Sequence, residues 1–295
     1  MVDQTELIID SINRLKVKID NAVDLDDVIS LKRKKIELEI ELLDIYADKN
    51  ALESTSDFKT LRDDVNARPT IDRYSTGIIP LDAHLKGGIE VGTFIQLAGE
   101  SFAGKTHLLL EILSNVAGHS RVMLFNFEMG ERRIVDRLDE QLLSTDSELN
   151  FLINSKARNL SVIIKEIKNK ADEGIKFFGI DSKMKIEVPE EDTDLKAFRK
   201  ISHELAKLAQ QEEIIIILIN QMNESDIKES RMSLKGGGDQ LYDADIALFY
   251  LVSKTDENPN NWKRKLVCRK NRQDEVLFWF NTEINMHGKT IEVKS

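Results

Sequence analysis

The sequence predicts an α/β fold, a mostly parallel sheet flanked by helices, with a helical appendage at the N-terminus. From about residue 74, short apolar stretches alternate with longer amphipathic ones, which is typical of parallel strands joined by helices. Residues 1–70 contain no glycine and repeat their apolar residues at helical spacing instead. The chain therefore divides into two predicted domains, residues 1–70 and 71–295.

Seven buried strands are predicted in the larger domain, and helices separate the earlier ones. The strands are residues 93–98, 122–126, 177–180, 214–219, 246–252, 265–269 and 276–281. The helices are residues 107–113, 131–143, 161–172 and 195–211. The last strands follow one another closely, so we expect them to form an antiparallel extension.

The appendage is predicted to be a helical hairpin followed by a charged linker. The first helix carries one apolar face, formed by Ile8, Ile12, Leu15 and Ile19. The second helix, at about residues 28–47, carries two apolar stripes, formed by Ile36, Ile40 and Leu43 and by Leu38, Leu42 and Ile45. Two stripes need two partners, so we expect this helix also to meet another chain. Residues 57–66 and Pro69 predict the linker.

Composition limits the classes of partner and compartment. The net charge is −10, which argues against a broadly basic nucleic-acid surface but allows a narrow basic strip. Cys268 is the only cysteine, so no internal disulfide and no thiolate metal cluster can form. There is no apolar run of about 18 residues and no visible signal sequence, so we expect a cytoplasmic protein without a membrane partner.

Residues 99–106 form a complete phosphate-binding loop, G-x-x-x-x-G-K-[ST], between a predicted strand and a predicted helix. Its members are Gly99, Glu100, Ser101, Phe102, Ala103, Gly104, Lys105 and Thr106. Backbone N–H groups of such a loop surround phosphate oxygens, the lysine reaches the β- and γ-phosphates, and the threonine hydroxyl binds Mg²⁺. The loop predicts a site for a nucleoside triphosphate with Mg²⁺.

Polar residues at the ends of later strands could complete that site. Asp181 ends an apolar strand and is predicted to bind Mg²⁺. Glu128 could deprotonate the attacking water, or it could be an ordinary N-cap of the next helix. Gln221 could contact the γ-phosphate, or it could be an ordinary loop residue.

Two groups of basic residues have a functional and an ordinary interpretation. Lys270 and Arg272 leave the same side of a strand end and could reach a neighbouring subunit's γ-phosphate, or they could form a solvated basic turn. Lys228, Arg231, Lys235 and Gly236 belong to a glycine-rich segment that could follow a phosphate backbone, or that could be a plain flexible loop. Residues 183–185 offer another path for DNA.

The order of these motifs resembles the C-terminal ATPase domain of DnaB-type replicative helicases, within the RecA-like ATPases. The matching pieces are Thr76-Gly77 and Leu81-Asp82, Phe127-Glu128-Met129 with Arg137-Leu138, Gln221-Met222-Asn223, residues 233–249 with Ala244-Asp245, and Lys270-Asn271-Arg272. The resemblance implies a RecA-like fold, a ring that is usually hexameric, ATP between subunits, and single-stranded DNA in the central channel. It assigns Glu128 as the base, Gln221 as the γ-phosphate sensor, and Lys270 and Arg272 as groups acting in trans.

The sequence also departs from that family. Asp181-Ser182-Lys183 stands where DnaB-type helicases usually have Asp-Tyr-Leu, and Asp-Ser is more similar to RecA recombinases. The preferred interpretation is an ATP-driven helicase ring that binds single-stranded DNA and other copies of itself, with a primase, polymerase or loader as further partners. The alternatives are a RecA- or KaiC-like filament or switch protein, and an assembly factor whose N-terminal helices dock a replication partner.

Overall fold

The computed structural model describes residues 4–22, 24–53, 56–67, 72–141, 145–223, 232, 234–235, 240–253, 262–284 and 290–293. The chain forms two compact units, Met1–Pro69 and Thr70–Ser295.

The first unit contains three helices, α1 (Gln4–Asn21), α2 (Leu25–Glu53) and α3 (Phe58–Ala67). Helix α1 packs against α2, and Ile8, Ile12 and Leu15 are buried. Helix α2 is longer than predicted at both ends. Its Ile36 is exposed, whereas the side chains of Ile40 and Leu43 lie outside the described part of the chain.

Residues 57–66, interpreted as a charged linker, are largely helical, because α3 occupies this stretch. Asp57 explains where the helix begins: its carboxylate accepts hydrogen bonds from the backbone N–H of Lys59 and of Thr60, at 2.9 and 3.1 Å. The apolar residues Phe58, Leu61 and Val65 recur at helical spacing and are exposed. The many charges of the segment hid this pattern.

The second unit is built on a nine-stranded sheet with strand order β11-β10-β9-β8-β3-β7-β6-β4-β5. The strands are β3 (Phe94–Gly99), β4 (Val122–Asn126), β5 (Phe151–Asn154), β6 (Phe177–Asp181), β7 (Ile215–Gln221), β8 (Ile246–Ser253), β9 (Lys263–Asn271), β10 (Trp279–Ile284) and β11 (Thr290–Glu292). Strands from β8 to β5 in this order pair in parallel, whereas β9, β10 and β11 pair antiparallel. A separate pair joins β1 (Arg73–Tyr74) and β2 (Ile89–Glu90).

In the second unit, one short helix lies between β1 and β2, and the others connect the parallel strands. The helices are α4 (Ile79–His84), α5 (Lys105–Ala117), α6 (Glu131–Asp139), α7 (Thr145–Asn150), α8 (Leu160–Asp172), α9 (Asp194–Gln211) and α10 (Gln240–Asp243), with a 3₁₀ turn at Lys183–Lys185. Alternate residues of β3 face opposite sides of the sheet. Ile95 and Leu97 join the apolar cluster that includes α5, and Phe94 joins the cluster of α8 and α9.

The predicted fold class is confirmed: a mostly parallel sheet with helices on both faces and an antiparallel extension. Two strands of the nine-stranded sheet were missed, because β5 is only half buried and β11 has three residues, and the two-residue strands β1 and β2 were also not predicted. The last predicted strand begins at Trp279 rather than at residue 276, since Val276 and Leu277 are exposed in the preceding loop. Helix α6 ends at Asp139, earlier than predicted. Within the described ranges, no helix has the length and apolarity needed to cross a bilayer.

Candidate active site

The phosphate-binding loop joins the end of β3 to the start of α5, and two glycines allow its path. Gly99 lies so close to β8 that a Cβ atom there would be 2.4 Å from the carbonyl oxygen of Tyr250. Gly104, which precedes α5, has φ of 101°, a conformation that favours glycine. The first turn of α5 therefore follows directly from the loop, and the backbone N–H groups of a first helical turn are suited to phosphate oxygens.

Lys105 is held inside this loop by the loop's own backbone. Its Nζ atom donates to the carbonyl oxygens of Gly99 and Glu100, at 3.0 and 2.7 Å. Burial lowers the pKa of Lys105, while the neighbouring carboxylates of Asp181 and Glu128 oppose this effect. The ammonium group thus stays beside the position that the motif assigns to the phosphates.

Asp181 and Thr106 meet at the edge of the sheet, as the sequence predicted for a magnesium site. Thr106 Oγ1 donates to Asp181 Oδ2 at 2.7 Å. The other oxygen, Oδ1, is buried and has no hydrogen-bond partner among the described residues. The pKa of Asp181 is raised to about 6, mainly by burial and to a smaller extent by the charge of Glu128, although the hydrogen bond from Thr106 opposes the rise. A bound cation would favour the ionised carboxylate.

This pair fits Mg²⁺, which prefers oxygen ligands and is commonly held by one or two protein groups together with waters and phosphates. The described residues contain no group of three histidine, cysteine or acidic side chains that could bind a metal by themselves. The hydroxyl of Thr106 and the unpartnered oxygen of Asp181 are hence the groups that would hold the ion.

Glu128 follows β4 and faces the same cleft. Its Oε1 atom accepts a hydrogen bond from Ser182 Oγ at 2.5 Å. Helix α6 begins after Gly130, and no side chain forms a hydrogen bond at its N-cap. The N-cap interpretation of Glu128 is therefore wrong, and its carboxylate is oriented by a side chain at the end of β6.

Gln221 is the last residue of β7 and lies beside the phosphate-binding loop. In the parallel pairing of β3 with β7, Gln221 is opposite Gly99. Its backbone N–H donates to Asn220 Oδ1 at 2.8 Å, and its carbonyl oxygen accepts from the backbone N–H of Lys235 at 2.9 Å. Both backbone groups of the predicted sensor are thus fixed.

These residues line one cleft of about 650 Å³, a size typical of small-molecule sites. It brings together the predicted residues Lys105, Thr106, Glu128, Asp181 and Gln221. It also contains groups to which sequence reasoning gave no role, namely Arg133, Arg137, Ser182, His107, Trp262 and Ile284. The spacing of Arg133 and Arg137 on one face of α6, directly after Glu128, was a signal that could have identified those two.

Lys270 and Arg272 contact the same segment of their own chain. Lys270 Nζ donates to the carbonyl oxygens of Leu241 and Tyr242, at 2.7 and 2.8 Å, and Arg272 Nη2 donates to that of Tyr242 at 2.9 Å. Arg272 also pairs with Asp245 at 3.4 Å. Burial lowers the pKa of Lys270, and the charge of Arg272 lowers it further.

The strand register separates these two cations from the phosphate-binding loop. Asn271, between them, is opposite Ile246 at the start of β8, and Ile246 is opposite Ile95 at the start of β3. The loop begins at the other end of β3, four residues or about 13 Å away. Neither cation lines the cleft of its own chain.

The predicted DNA-contacting residues are only partly within the described chain. Lys228, Arg231 and Gly236 lie outside the described residues. Lys235 is exposed and borders a depression of about 490 Å³ together with Glu128, Met184, Lys185 and Gln221. Lys183 is completely buried, so it cannot contribute to an alternative path for DNA.

Comparisons with known proteins find similar sequences in two groups of proteins. Residues 74–151 match the sequence profile of the family described as DnaB-like helicase C terminal domain. The DNA repair and recombination protein RadB of Methanococcoides burtonii is 23% identical over 166 residues, which are 54% of this chain and 73% of RadB.

Two solved structures have a similar fold. A DnaB-like replicative helicase, studied with primase, aligns with a TM-score of 0.71 and 17% identity over 99% of this chain and 76% of its own. A KaiC-like protein from Pyrococcus horikoshii aligns with a TM-score of 0.61 and 18% identity over 76% of this chain and 100% of its own. The larger unit has a RecA-like fold, and the predicted resemblance to the DnaB-type ATPase domain is confirmed.

Proposed function

We propose that this chain is an ATP-dependent DNA helicase that hydrolyses ATP in the cleft and moves along single-stranded DNA as a hexameric ring. The observation that carries the proposal is the convergence of Lys105, Thr106, Glu128, Asp181 and Gln221 at the ends of four neighbouring parallel strands. These are a phosphate-binding lysine, two magnesium ligands, a carboxylate and an amide, which is the set that phosphoryl transfer to water requires.

Each residue has a separate part in the reaction. The loop and Lys105 bind the β- and γ-phosphates, and Lys105 exchanges its bonds to Gly99 and Glu100 for bonds to phosphate oxygens. Thr106 and Asp181 would hold Mg²⁺, which neutralises charge that develops on the phosphates. Glu128 orients the attacking water and takes its proton, and Ser182 fixes one of its two oxygens.

Gln221 contacts the γ-phosphate and senses its loss. Its position supports this role, because it is opposite Gly99 and lies next to the loop. The carbonyl oxygen of Gln221 accepts from Lys235, so a movement of the sensor would pass to the segment that carries the proposed DNA contacts, Lys228, Arg231, Lys235 and Gly236. In a ring, copies of this segment would line one channel.

Assembly completes the proposal. Lys270 and Arg272 would act on the ATP of the neighbouring subunit, since the register separates them from their own cleft. Residues 1–70 would strengthen the ring or dock a primase, polymerase or loader. Exposed apolar residues on the N-terminal helices, among them Leu7, Val17, Leu25 and Ile36, support a docking role.

A RecA- or KaiC-like protein that forms filaments or switches with ATP is the second candidate. Asp181-Ser182 supports this candidate, because it is more similar to RecA recombinases than to the Asp-Tyr-Leu of DnaB-type helicases. The similarity to RadB also extends over more of the chain than the match to the DnaB-like family profile. Both candidates use the same ATP site and differ in their assembly on DNA.

Strand displacement and particle shape separate the two candidates. We expect closed rings with an ATP analogue and single-stranded DNA in electron micrographs, and ATP-dependent displacement of a strand from a tailed duplex. Lys105→Ala should abolish both turnover and displacement, because the loop loses its cation. Helical filaments without strand displacement would favour the recombination-type protein, whereas wild-type turnover by Lys105→Ala would contradict the ATP site itself.

A further inference from the structure

A chain of buried polar side chains crosses the core next to the cleft and begins at a lysine. Lys183 follows Asp181 and Ser182 directly, and none of its surface is exposed. Its Nζ atom donates to Ser202 Oγ on α9 at 2.6 Å and lies 5.6 Å from the centre of the Phe198 ring. A lysine is rarely buried in this way.

From Ser202 the chain continues to the predicted γ-phosphate sensor. Gln96, in the middle of β3, donates from Nε2 to Ser202 Oγ at 3.2 Å. Asn220 Nδ2 donates to Gln96 Oε1 at 3.1 Å, and Asn220 Oδ1 accepts from the backbone N–H of Gln221 at 2.8 Å. The side chains of Gln96, Ser202 and Asn220 are all fully buried.

The donors at both ends set the orientation of every group between them. The backbone N–H of Gln221 can only donate, so Asn220 turns its oxygen towards Gln221 and its nitrogen towards Gln96. Gln96 then presents its oxygen to Asn220 and its nitrogen to Ser202. Lys183 Nζ donates to Ser202 Oγ, so the two lone pairs of that oxygen accept from Gln96 and Lys183 together. The chain is thus consistent from end to end.

Such an arrangement is costly unless all its members are satisfied. Burial lowers the pKa of Lys183 to about 7, and the charge of Asp243 opposes this effect. An apolar side chain of similar length would fill the same space without that desolvation cost. Filling the core therefore does not explain a lysine here, whereas a need to orient the end of β7 does.

We propose that Lys183 is a positioning residue that holds Gln221 in place for its contact with the γ-phosphate, acting through Ser202, Gln96 and Asn220. This inference rests on the proposed role of Gln221. It also links the two sides of the cleft, because Ser182, the residue before Lys183, holds Glu128. Three consecutive residues would then have three roles: Asp181 would bind the metal, Ser182 would orient Glu128, and Lys183 would position Gln221.

A double-mutant cycle on ATP turnover tests the proposal with the full chain. Lys183→Met keeps the length of the side chain but cannot donate a hydrogen bond. We expect it to lower kcat about tenfold, as for the loss of one positioning hydrogen bond, with little change in KM for ATP. In a Gln221→Ala background, Lys183→Met should lower kcat no further, because the group that it positions is gone.

The outcomes distinguish this proposal from the function on which it rests. A slow Gln221→Ala protein in which Lys183→Met still lowers kcat by the same factor would overturn the positioning role and leave the sensor role intact. Wild-type turnover by Gln221→Ala would overturn both. Thr282→Val is the matched control: it removes a buried hydroxyl that donates to Tyr250 Oη, outside the chain of polar groups, and should leave kcat unchanged.

Hydrogen exchange gives a reading that does not depend on turnover. Lys183→Met should speed the exchange of the Gln221 amide and leave the amides of β8 unchanged. Uniform acceleration throughout the sheet would instead mean a general loss of stability and would overturn the proposal. If Lys183→Met does not fold, Gln96→Met interrupts the same chain at its centre, and the same cycle with Gln221→Ala applies.

Discussion

Strand β9 contacts the candidate site at its first end and lies away from the site at its other end. Near its start, Arg264 donates from Nε to the carbonyl oxygen of Ala103 in the phosphate-binding loop, at 3.3 Å. At its far end, Lys270 and Arg272 contact the segment before β8, on the opposite edge of the sheet. Because β9 runs antiparallel to β8, its start lies where β8 and β3 end, and its end lies where they begin.

The parallel strands behave differently. Strands β3, β4, β6 and β7 all run towards the cleft, and the residues proposed for chemistry follow at or just after their ends: Lys105, Glu128, Asp181 and Gln221. The parallel half of the sheet therefore brings the proposed catalytic groups of one chain together, whereas the antiparallel half contacts the phosphate-binding loop through Arg264 and carries Lys270 and Arg272 at its other end. The two ends of β9 should accordingly act in different subunits.

Arg272→Ala should have the largest effect among substitutions in β9 and the residue after it. An arginine that acts on a neighbour's phosphate contributes about 10³–10⁵ in rate, so we expect turnover to fall by that order. Mixing separates a trans from a cis role. Arg272→Ala and Lys105→Ala subunits should each be inactive alone but regain partial turnover when they assemble together, because some interfaces then pair an intact Lys105 with an intact Arg272.

The control for this experiment is Arg269→Ala, which removes an exposed arginine from the same strand. It should turn over ATP like wild type. If mass measurement shows that the rings contain both variants and turnover still does not recover, the trans role is contradicted. Arg272 would then act in its own site or in folding, through its bonds to Tyr242 and Asp245.

Glu128→Gln tests the parallel half of the sheet. Because only the base is lost, ATP and Mg²⁺ should still bind, while hydrolysis slows by about 10²–10⁴. Single-turnover kinetics and ATP binding, measured on the same preparation, separate the two effects. Glu131→Gln, at the exposed start of α6, is the control. Lost affinity with intact turnover would make Glu128 a structural residue.

The sequence predicted the strands that carry chemistry because they are mainly apolar stretches, each followed by the phosphate-binding loop or by a polar residue. It failed where burial is partial, as at β5, and where charges obscure the apolar spacing, as in α3. The sequence also could not predict contacts between residues that are far apart in the chain. The bond from Ser182 to Glu128 and the chain from Lys183 to Gln221 each join separate strands, and no local pattern indicates which polar residues meet.

Arg264 gives the smallest of these effects and completes the comparison within β9. Its guanidinium holds Ala103 through Nε and the carbonyl oxygen of Trp262 through Nη1, at 3.3 and 3.1 Å, and it is almost fully buried. Arg264→Met should loosen the phosphate-binding loop and raise KM for ATP about tenfold, since a bond from a charged donor contributes about 1.5 kcal/mol or more. Lys263→Met, exposed on the same strand, should change little.

The mixing assay gives the decisive contrast for Arg264. If Arg264 supports its own subunit's loop, Arg264→Met and Lys105→Ala damage the same site, and only the Arg264→Met subunits of a mixed ring should turn over ATP, still with raised KM. Arg272→Ala subunits that are mixed with Lys105→Ala subunits should instead regain turnover, because the Arg272→Ala defect lies in the neighbouring subunit's site. Restoration of wild-type KM in Arg264→Met mixtures would mean that both ends of β9 face the neighbour, which would contradict the division between the two ends of β9.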